Sequence, residues 1–354
     1  MTPGGRRAGS RRCVGFAMLT LPVAVAAIAA VQLSDLQPEL QTFLSRELKF
    51  PPSDLADLAA GKIVTRRLDA TAAGEIAVAG AVRVMARKEV FVARYRDITE
   101  FKRGPDVLQI GRFSDPPTLE DLGSLTLDRQ DVDVRTCRVG DCDIRLPSQT
   151  IVRFQHEIDW KARDAQPRAA SLLKQVLFDH VRAYRLGGPG RIVEYDDERR
   201  PIRPADDFVG LLHSSPYIEQ LVPGLPEHLQ AFPSSPLPGA EDFLYWSKEK
   251  FGFTPFITVT HVTIAPGTPT RSVIASKDVY SSRYFDASLT ITIASDAVNA
   301  PDAFYLVYVN RSRADALKGP LAGLRRSIVE RRAKSSLEEN LKIVKQRVET
   351  GSQP

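Results

Sequence analysis

The alternation of apolar and polar residues is most regular in the last third of the chain. Four segments there follow the two-residue period of a β-strand, and they span residues 256–264, 271–281, 284–293 and 304–309. Because they follow one another closely, they predict an antiparallel meander. The period then becomes helical over residues 313–349, where an apolar stripe from Leu317 to Val348 needs a packing partner. One long helix lying across the concave face of the sheet satisfies both patterns.

The rest of the chain mixes strand and helix patterns. Alternation predicts a hairpin and two further strands, at residues 62–68, 75–84, 107–113 and 191–195. Helical spacing of apolar residues predicts helices at residues 87–101, 148–186 and 206–221. Prolines then crowd residues 222–240, and such a loop-rich stretch is typical of an insertion boundary or a lid.

These elements predict an α+β fold: a curved antiparallel sheet packed on a long C-terminal helix, with a helical insertion in the middle. The corresponding parts are residues 1–29 as signal peptide or N-terminal membrane anchor, 30–147 as the N-terminal part of the α+β domain, 148–240 as a helical, proline-rich insertion, and 241–350 as antiparallel strands with the C-terminal helix. A cystatin-like sheet with one helix is an alternative. So are two separate domains divided near residue 150 or 240.

The order of hairpin, helix, antiparallel strands and long terminal helix resembles the START-like (SRPBCC) helix-grip superfamily. The resemblance is one of topology and carries no motif. It covers residues 62–115 and 241–350 and leaves 148–240 as a large insertion. It implies a curved sheet that wraps around a helix and encloses an apolar cavity. It also implies that binding of a lipid or another apolar ligand is a more probable role than catalysis, since only a minority of the superfamily are enzymes. It transfers no functional residue.

The N-terminus has the features of an export signal. Arginines precede the uncharged stretch 13–33, and Ala27 and Ala29 flank Ile28 in the arrangement that signal peptidase recognises. Cleavage there would begin the mature chain near Ala30. An uncleaved inner-membrane helix is the alternative, since the stretch is long enough to span a bilayer. The arginine pair also resembles a twin-arginine signal, although the residues after it favour ordinary Sec export. We therefore expect a bacterial protein that is periplasmic or secreted, or anchored in the inner membrane.

Charge excludes a general nucleic-acid binder. The formal net charge is +5, but four of the arginines lie within residues 1–29, which hold no acidic residue. The remainder carries 44 basic against 43 acidic residues. Nucleic-acid binding needs a net basic surface that displaces counterions, and a nearly neutral body does not provide one.

Two cysteines in the exported part predict a disulfide. Cys137 and Cys142 stand in a C-x4-C spacing with Gly140 and Asp141 available for a turn between them. Oxidising compartments favour such local bridges. A redox pair is more often C-x-x-C, and a zinc site needs two further ligands nearby. The bridge should stabilise the fold only modestly because its loop is short.

Common catalytic motifs are missing from the sequence. It contains no G-x-S-x-G, H-E-x-x-H, G-x-x-x-x-G-K-[ST] or G-x-G-x-x-G pattern. Its adjacent His and acidic pairs point to different faces of their helices, so they predict no metal site. No cofactor is predicted either, and enzymatic activity stays open, with a non-enzyme favoured.

Two segments carry candidate binding residues. Aromatic residues crowd 243–253, as they do where an apolar ligand enters a protein, and bonding or titratable groups crowd 276–286. The candidate ligand-binding residues are Tyr245, Trp246, His261, Lys277, Tyr280, Arg283 and Tyr284. Alternation places Lys277 and Asp278 on opposite faces of one strand, with Tyr280 on the face of Asp278. A hydrophobic core corner and cross-strand pairs on an exposed face explain the same residues without a ligand.

The function expected from these patterns is non-catalytic binding of an apolar or lipid-like small molecule. The alternatives are an envelope hydrolase that uses His261 with Lys277 or Tyr280, and a structural envelope component. The C-terminal helix region from Arg311 to Glu349 carries eleven basic and five acidic residues. This composition allows contact with an anionic membrane surface, although a charge-rich solvent face explains it too.

Overall fold

The computed structural model of the protein describes residues 35–251, 254–314, 317–318 and 322–351. The predicted signal segment 1–29 lies outside the described residues. The helices are α1 (Pro38–Thr42, continued by the π-helical turn Phe43–Glu47), α2 (Pro52–Ala59), α3 (Lys88–Arg96), α4 (Ile98–Phe101), α5 (Arg129–Val132), α6 (Ser148–Glu157), α7 (Ala165–Gly187), α8 (Pro204–His213), α9 (Tyr217–Leu221), α10 (Leu225–Ala231) and α11 (Ala322–Thr350), with 3-10 turns at Leu119–Leu122 and Gly188–Arg191.

The strands form one antiparallel sheet of eight, in the order β1-β2-β8-β7-β6-β5-β4-β3. They are β1 (Val64–Arg67), β2 (Glu75–Val84), β3 (Val107–Arg112), β4 (Glu241–Glu249), β5 (Phe256–Thr268), β6 (Arg271–Ser281), β7 (Ala287–Asp296) and β8 (Phe304–Arg313). The meander β5–β8 and the hairpin β1–β2 confirm the alternation seen in the sequence. The pairing of β2 with β8 joins the N-terminal hairpin to the end of the meander.

Helices cover both faces of this sheet. The face that we call the outer face packs through residues such as Ile291 and Val307 against α8–α10 and the N-terminal helices, and through Trp246 and Val259 against α6 and α7. The opposite face, which we call the inner face, packs through Val82 and Leu306 against α3 and α11. The α+β class, with helices in the middle of the chain and a long C-terminal helix on the sheet, is as the sequence predicted.

The C-terminal helix α11 lies mainly over β1 and β2. Gly80 makes this close approach possible, because a Cβ built there would lie 2.7 Å from Cδ1 of Leu341. Further along, Lys345 Nζ donates to the carbonyl of Arg83 at 2.7 Å. The helix therefore covers one side of the inner face and leaves the centre of the sheet to other elements.

Several element bounds differ from the sequence prediction. The predicted helix 87–101 divides at Asp97, whose carboxylate caps α4. The predicted helix 206–221 divides before Pro216, which has no N–H to continue a helix. The predicted strand 191–195 is wrong, because a 3-10 turn ends at Arg191 and Tyr195 forms only an isolated bridge. Strand β4 was not predicted, because its aromatic residues hid its alternation.

The predicted disulfide is present. Cys137 and Cys142 are joined with their Sγ atoms 2.04 Å apart, and Gly140 takes the positive φ that the turn between them needs. Such a bridge forms and persists in an oxidising compartment. Within the part of the chain that the structure describes, there is no helix with the length and apolar character of a membrane span.

Candidate functional site

A groove lies open on the inner face at the centre of the sheet. In the central parts of β6, β7 and β8, at residues 273–278, 287–293 and 305–311, the side chains of the outer face are buried, whereas six polar side chains of the inner face are only half-buried. These six define what we call the inner-face groove: Ser276, Asp278, Ser288, Thr290, Tyr308 and Asn310. Because these strands have neighbours on both sides, their exposure means that the covering helices leave a gap there.

Hydrogen bonds order the floor of the groove. Asn310 Nδ2 donates to Ser288 Oγ at 3.1 Å and to Thr290 Oγ1 at 2.9 Å. The hydroxyl of Tyr308 lies 3.3 Å from Thr290 Oγ1. A hydroxyl donates one bond and accepts two, so these groups retain bonding capacity toward a ligand. The floor is therefore a preformed array of donors and acceptors.

Aromatic and charged side chains border the groove. On one side Tyr95 of α3 bonds Ser276 Oγ at 3.2 Å, and Lys102 lies 5.2 Å from the ring centroid of the predicted site residue Tyr245. At the strand ends, Arg332 of α11 lies 5.6 Å from the ring centroid of Phe251, which belongs to the β4–β5 connection. Thus α11 and this connection meet above the ends of the intervening strands.

Asp278 is the acidic group of the groove. Its Oδ1 accepts from Thr260 Oγ1 at 2.8 Å. Burial raises the pKa of Asp278 to about 7, although the bond from Thr260 and the charge of Lys102 favour the ionised form. Near neutral pH this carboxyl can therefore donate a hydrogen bond or carry a charge, depending on its ligand.

A second polar cluster lies on the outer face and is largely buried. His261 and Lys277 are cross-strand partners there, and their exposed fractions are 0% and 1%. Asp242 Oδ1 accepts from His261 Nε2 at 3.0 Å, from His228 Nε2 at 3.1 Å and from Thr263 Oγ1 at 2.7 Å. The three donors hold the carboxylate in one orientation, which ties β4 and β5 to α10.

Aromatic and main-chain groups complete this cluster. The Tyr184 hydroxyl lies 2.8 Å from His261 Nδ1, and the ring of Phe232 packs 4.4 Å from that of His261. Lys277 Nζ donates to the carbonyl of Leu229. The pattern fits a neutral His261 that donates through Nε2 and accepts through Nδ1.

Burial decides the charges of the cluster. It lowers the pKa of Lys277 to about 7 and that of His261 to about 4, although the bond to Asp242 favours protonated His261. Burial alone would raise the pKa of Asp242, but the bonds from His228 and His261 hold it well below its usual range. The same bond raises the pKa of His228. The cluster thus contains an ionised Asp242, whose side chain is 17% exposed, beside a neutral His261 that is sealed from solvent.

The other predicted site residues do not join either cluster. Trp246 is buried on the outer face, where its Nε1 donates to the carbonyl of Asp121 at 2.8 Å. Tyr280 is buried beside Tyr195, because a bulge in the β5–β6 pairing turns it away from Asp278. The expectation that Tyr280 shares the face of Asp278 is therefore wrong.

Arg283 and Tyr284 lie in the β6–β7 connection. Arg283 Nη2 donates to the carbonyl of Gln130 at 2.8 Å, so its guanidinium joins this connection to the α5 region. Tyr284 has φ of 68°, and its hydroxyl donates to the carbonyl of Thr254 at 2.9 Å. Both side chains tie loops together in this structure.

No metal or cofactor site was predicted, and none of the described residues form a group of three or more His, Cys, Asp or Glu side chains able to hold a metal ion.

Sequence reasoning missed most of the groove and also the carboxylate of the outer-face cluster. Ser288, Thr290, Asn310 and the carboxylate of Asp242 received no role, because isolated Ser, Thr, Asn and Asp residues are common in half-exposed strands. A usable signal was present: polar residues repeat at every second position in three consecutive strands, around residues 276–278, 288–290 and 308–312. Only the pairing of β6, β7 and β8 places them side by side.

The chain matches no protein-family model, no curated protein and no solved structure.

Proposed function

We propose that the protein is a non-catalytic binding protein and that its ligand lies in the inner-face groove. The observation that supports this most directly is the half-exposed polar floor at the centre of an eight-stranded sheet whose outer face is buried. A sheet centre is ordinarily covered on both faces by other elements. A ligand that fills the gap would complete the inner layer.

The chemistry of the groove favours a lipid-like ligand that carries a polar group. The apolar part of the inner face is already filled by protein side chains such as Phe91 and Leu337. The open part offers hydroxyl, amide and carboxyl groups, whose burial under a pure hydrocarbon would cost free energy. We therefore expect a ligand that places hydroxyl or ester groups on the floor and an apolar part against the aromatic rim.

The proposal agrees with the helix-grip resemblance, since a C-terminal helix lies on an antiparallel sheet. We propose that the chain is related to START-like proteins in topology, and that it is an exported bacterial protein. Its disulfide supports an oxidising location.

The alternative of a hydrolase that uses His261 with Lys277 or Tyr280 is less favoured. All three side chains are buried, and a general base must come within hydrogen-bond reach of its substrate. Loss of turnover in a folded His261→Ala variant would be needed to revive it.

A second candidate function is contact with an anionic membrane surface. Leu324 and Ile328 stand one turn apart on α11 and are 62% and 58% exposed. Basic residues such as Arg326 and Arg331 share this end of the helix, and an apolar stripe beside basic residues suits an interfacial helix. Co-sedimentation with vesicles containing phosphatidylglycerol, compared with neutral vesicles, tests it. A Leu324→Ser/Ile328→Ser variant should lose this binding.

The primary test is thermal unfolding of the full chain with defined amphiphiles. Oleate, a monoacylglycerol and a lysophospholipid would each be added below its critical micelle concentration, with hexadecane as the apolar comparison. Binding to the folded state should raise Tm in proportion to ligand excess. We expect an amphiphile to raise Tm and hexadecane to have no effect. A protein that no amphiphile stabilises would contradict the proposal.

Variants locate the site. Asn310→Leu and Thr290→Val remove groups of the floor and should weaken the binding of a stabilising amphiphile about tenfold, which corresponds to about 1.4 kcal/mol. Thr292→Val is the matched control, because Thr292 lies two residues further along the same strand and face but is buried. Equal effects of Thr290→Val and Thr292→Val would place the ligand elsewhere.

A further inference from the structure

The floor of the inner-face groove has the size of a small polar ring. Ser276, Thr290 and Asn310 are cross-strand partners in one row, and Ser288 pairs with Ser312 in the next row on the same face. Partners directly opposite each other have their Cβ atoms about 5 Å apart, and alternate residues of one strand lie about 6.6 Å apart. The polar array therefore covers roughly 10 Å by 7 Å, which is close to the footprint of one hexose ring with its hydroxyls.

Asn310 sets the bonding pattern of this array. Its Nδ2 donates to Ser288 Oγ at 3.1 Å and to Thr290 Oγ1 at 2.9 Å, and its Oδ1 accepts from Ser312 Oγ at 2.9 Å. Each of the two hydroxyls that accept from the amide also has one O–H to donate and a second lone pair. The array thus presents donors and acceptors side by side, which matches sugar hydroxyls, whereas an ionised phosphate or carboxylate only accepts.

The charges around the floor disfavour an anionic ligand. The charged side chain of the floor is Asp278, whose ionised form repels a phosphate or a carboxylate. Lys102 at the border is paired with Glu249, and Arg311, on the buried face of β8, is paired with Glu75 at 2.6 Å. An uncharged polar group avoids the repulsion and still uses the bonding atoms of the floor.

Aromatic rings close the end of the groove at the β4–β5 and β6–β7 connections. Phe256 lies on the same face of β5 as Thr260, because four residues separate them, and about 13 Å from it along the strand. Its ring packs in a cluster with the half-buried rings of Phe251, Tyr284 and Phe285. Arg332 lies over this cluster, 5.6 Å from the ring centroid of Phe251, and so stands beyond the floor. The cluster offers apolar surface within reach of a medium-length alkyl chain.

We propose that the polar group on the floor is an uncharged sugar ring, so that the ligand of the groove is a neutral glycolipid. This inference rests on the binding function proposed above and narrows its ligand class. The sugar hydroxyls bond the row from Ser276 to Asn310, and the alkyl chain runs along β5 to the aromatic cluster around Phe256.

Isothermal titration of the full chain with ligands that share one octyl chain tests the proposal. The probes are octyl β-D-glucoside, octyl β-D-galactoside, 1-octanoylglycerol, octyl phosphate and 1-octanol, each below its critical micelle concentration, together with free glucose and galactose. We expect at least one glycoside to bind at least tenfold more tightly than its free sugar and than each of the other octyl ligands.

The outcomes separate this inference from the proposed function. If 1-octanoylglycerol or octyl phosphate binds as tightly as the better glycoside, the sugar assignment is overturned and the binding function stands. A free sugar that binds as tightly as its glycoside would overturn the assignment to a lipid. If no octyl ligand binds, the glycolipid assignment is overturned, and the thermal unfolding series with longer amphiphiles decides the binding function separately.

Ser276→Ala is the decisive variant, because it removes one hydroxyl from the row and leaves the amide of Asn310 in place. It should weaken the binding of the glycoside at least fivefold. Ser272→Ala is the matched control, since Ser272 is also half-buried and lies on the same strand and face, four residues away and outside the floor. Unchanged affinity in Ser276→Ala, or an equal loss in the two variants, would overturn the proposal.

Discussion

The two faces of the sheet handle polar groups in opposite ways. Lys277 and Asp278 are neighbours in sequence, yet Lys277 is buried on the outer face against Leu229 and Asp278 lies in the inner-face groove beside Thr260. Burial lowers the pKa of the lysine and raises that of the aspartate. The outer face seals His261 and Lys277 with helices and partners, whereas the inner face leaves its polar side chains half-exposed. The difference shows that access to solvent, more than residue type, decides which polar side chains of this sheet are able to meet a ligand.

We expect the largest loss of stability from breaking a buried ion pair on the outer face. Lys248 is 1% exposed and pairs with Asp131 at 2.6 Å, whose side chain is 2% exposed. Lys248→Met would leave Asp131 buried without a counterion, so we expect a loss of about 3–5 kcal/mol in the free energy of unfolding. Urea unfolding at pH 7 measures it.

The matched control is Lys102→Met at the rim of the groove, because its partner Glu249 is 21% exposed. We expect a loss of only about 1 kcal/mol, since water screens this pair. Equal losses in the two variants would remove the distinction between the faces.

The next effect is the pH dependence that Lys277 imposes. Its folded-state pKa of about 7 lies below the value of 10.5 expected when unfolded. Between these values the unfolded state binds more protons, so the free energy of unfolding should rise as pH rises from 7 to 10. We expect a gain on the order of 2–4 kcal/mol, absent in Lys277→Met. A wild-type protein whose free energy of unfolding does not change between pH 7 and 10 would refute the prediction. Lys345→Met serves as the control and should keep the wild-type pH dependence.

An intermediate effect concerns the wall of the groove. Gly80→Ala would place a Cβ 2.7 Å from Leu341 Cδ1, so the leucine side chains of α11 or the helix itself must shift. Overpacking of this kind costs about 1–3 kcal/mol. Thermal unfolding measures the loss, and hydrogen exchange should show it concentrated in α11. Unchanged exchange in α11 would mean that the helix does not depend on this contact. Gly190→Ala, where a Cβ meets nothing within 4 Å, is the control.

The smallest effect belongs to Asp278, because its groove admits water. Its folded-state pKa of about 7 lies above the unfolded value of 3.8. Here the folded state binds more protons between these values, so stability should fall as pH rises from 4 to 7. We expect a change of about 1–2 kcal/mol after screening, which Asp278→Asn should abolish. Measuring the Asp278→Asn difference at pH 4 and pH 7 isolates this residue from other groups; an unchanged difference would show that Asp278 does not titrate in this range.

Local sequence patterns predicted most of the fold. Strands β5 to β8 and the hairpin β1–β2 alternate clearly, and the disulfide follows from the spacing of Cys137 and Cys142. Strand β4 was not predicted because its apolar residues pack on both faces of the sheet, Phe243 and Tyr245 on the inner face and Leu244 and Trp246 on the outer one. A strand that is apolar on both faces shows no alternation.

The candidate sites were much less predictable. His261 and Lys277 could be placed on neighbouring strands, but their burial depends on Phe232 and Leu229, which arrive from the proline-rich region. The bulge near Tyr280 reverses its face, and nothing in the local pattern indicates a bulge. Site prediction failed where distant segments meet.

The sequence by itself determined the α+β class, the antiparallel meander, the long C-terminal helix and the disulfide, because these depend on residues close together in the chain. The tertiary structure alone decided which polar side chains are sealed and which are open. It set β6, β7 and β8 side by side so that Ser276, Thr290 and Asn310 form one floor. Exposure depends on what distant segments cover, and no local pattern contains that information.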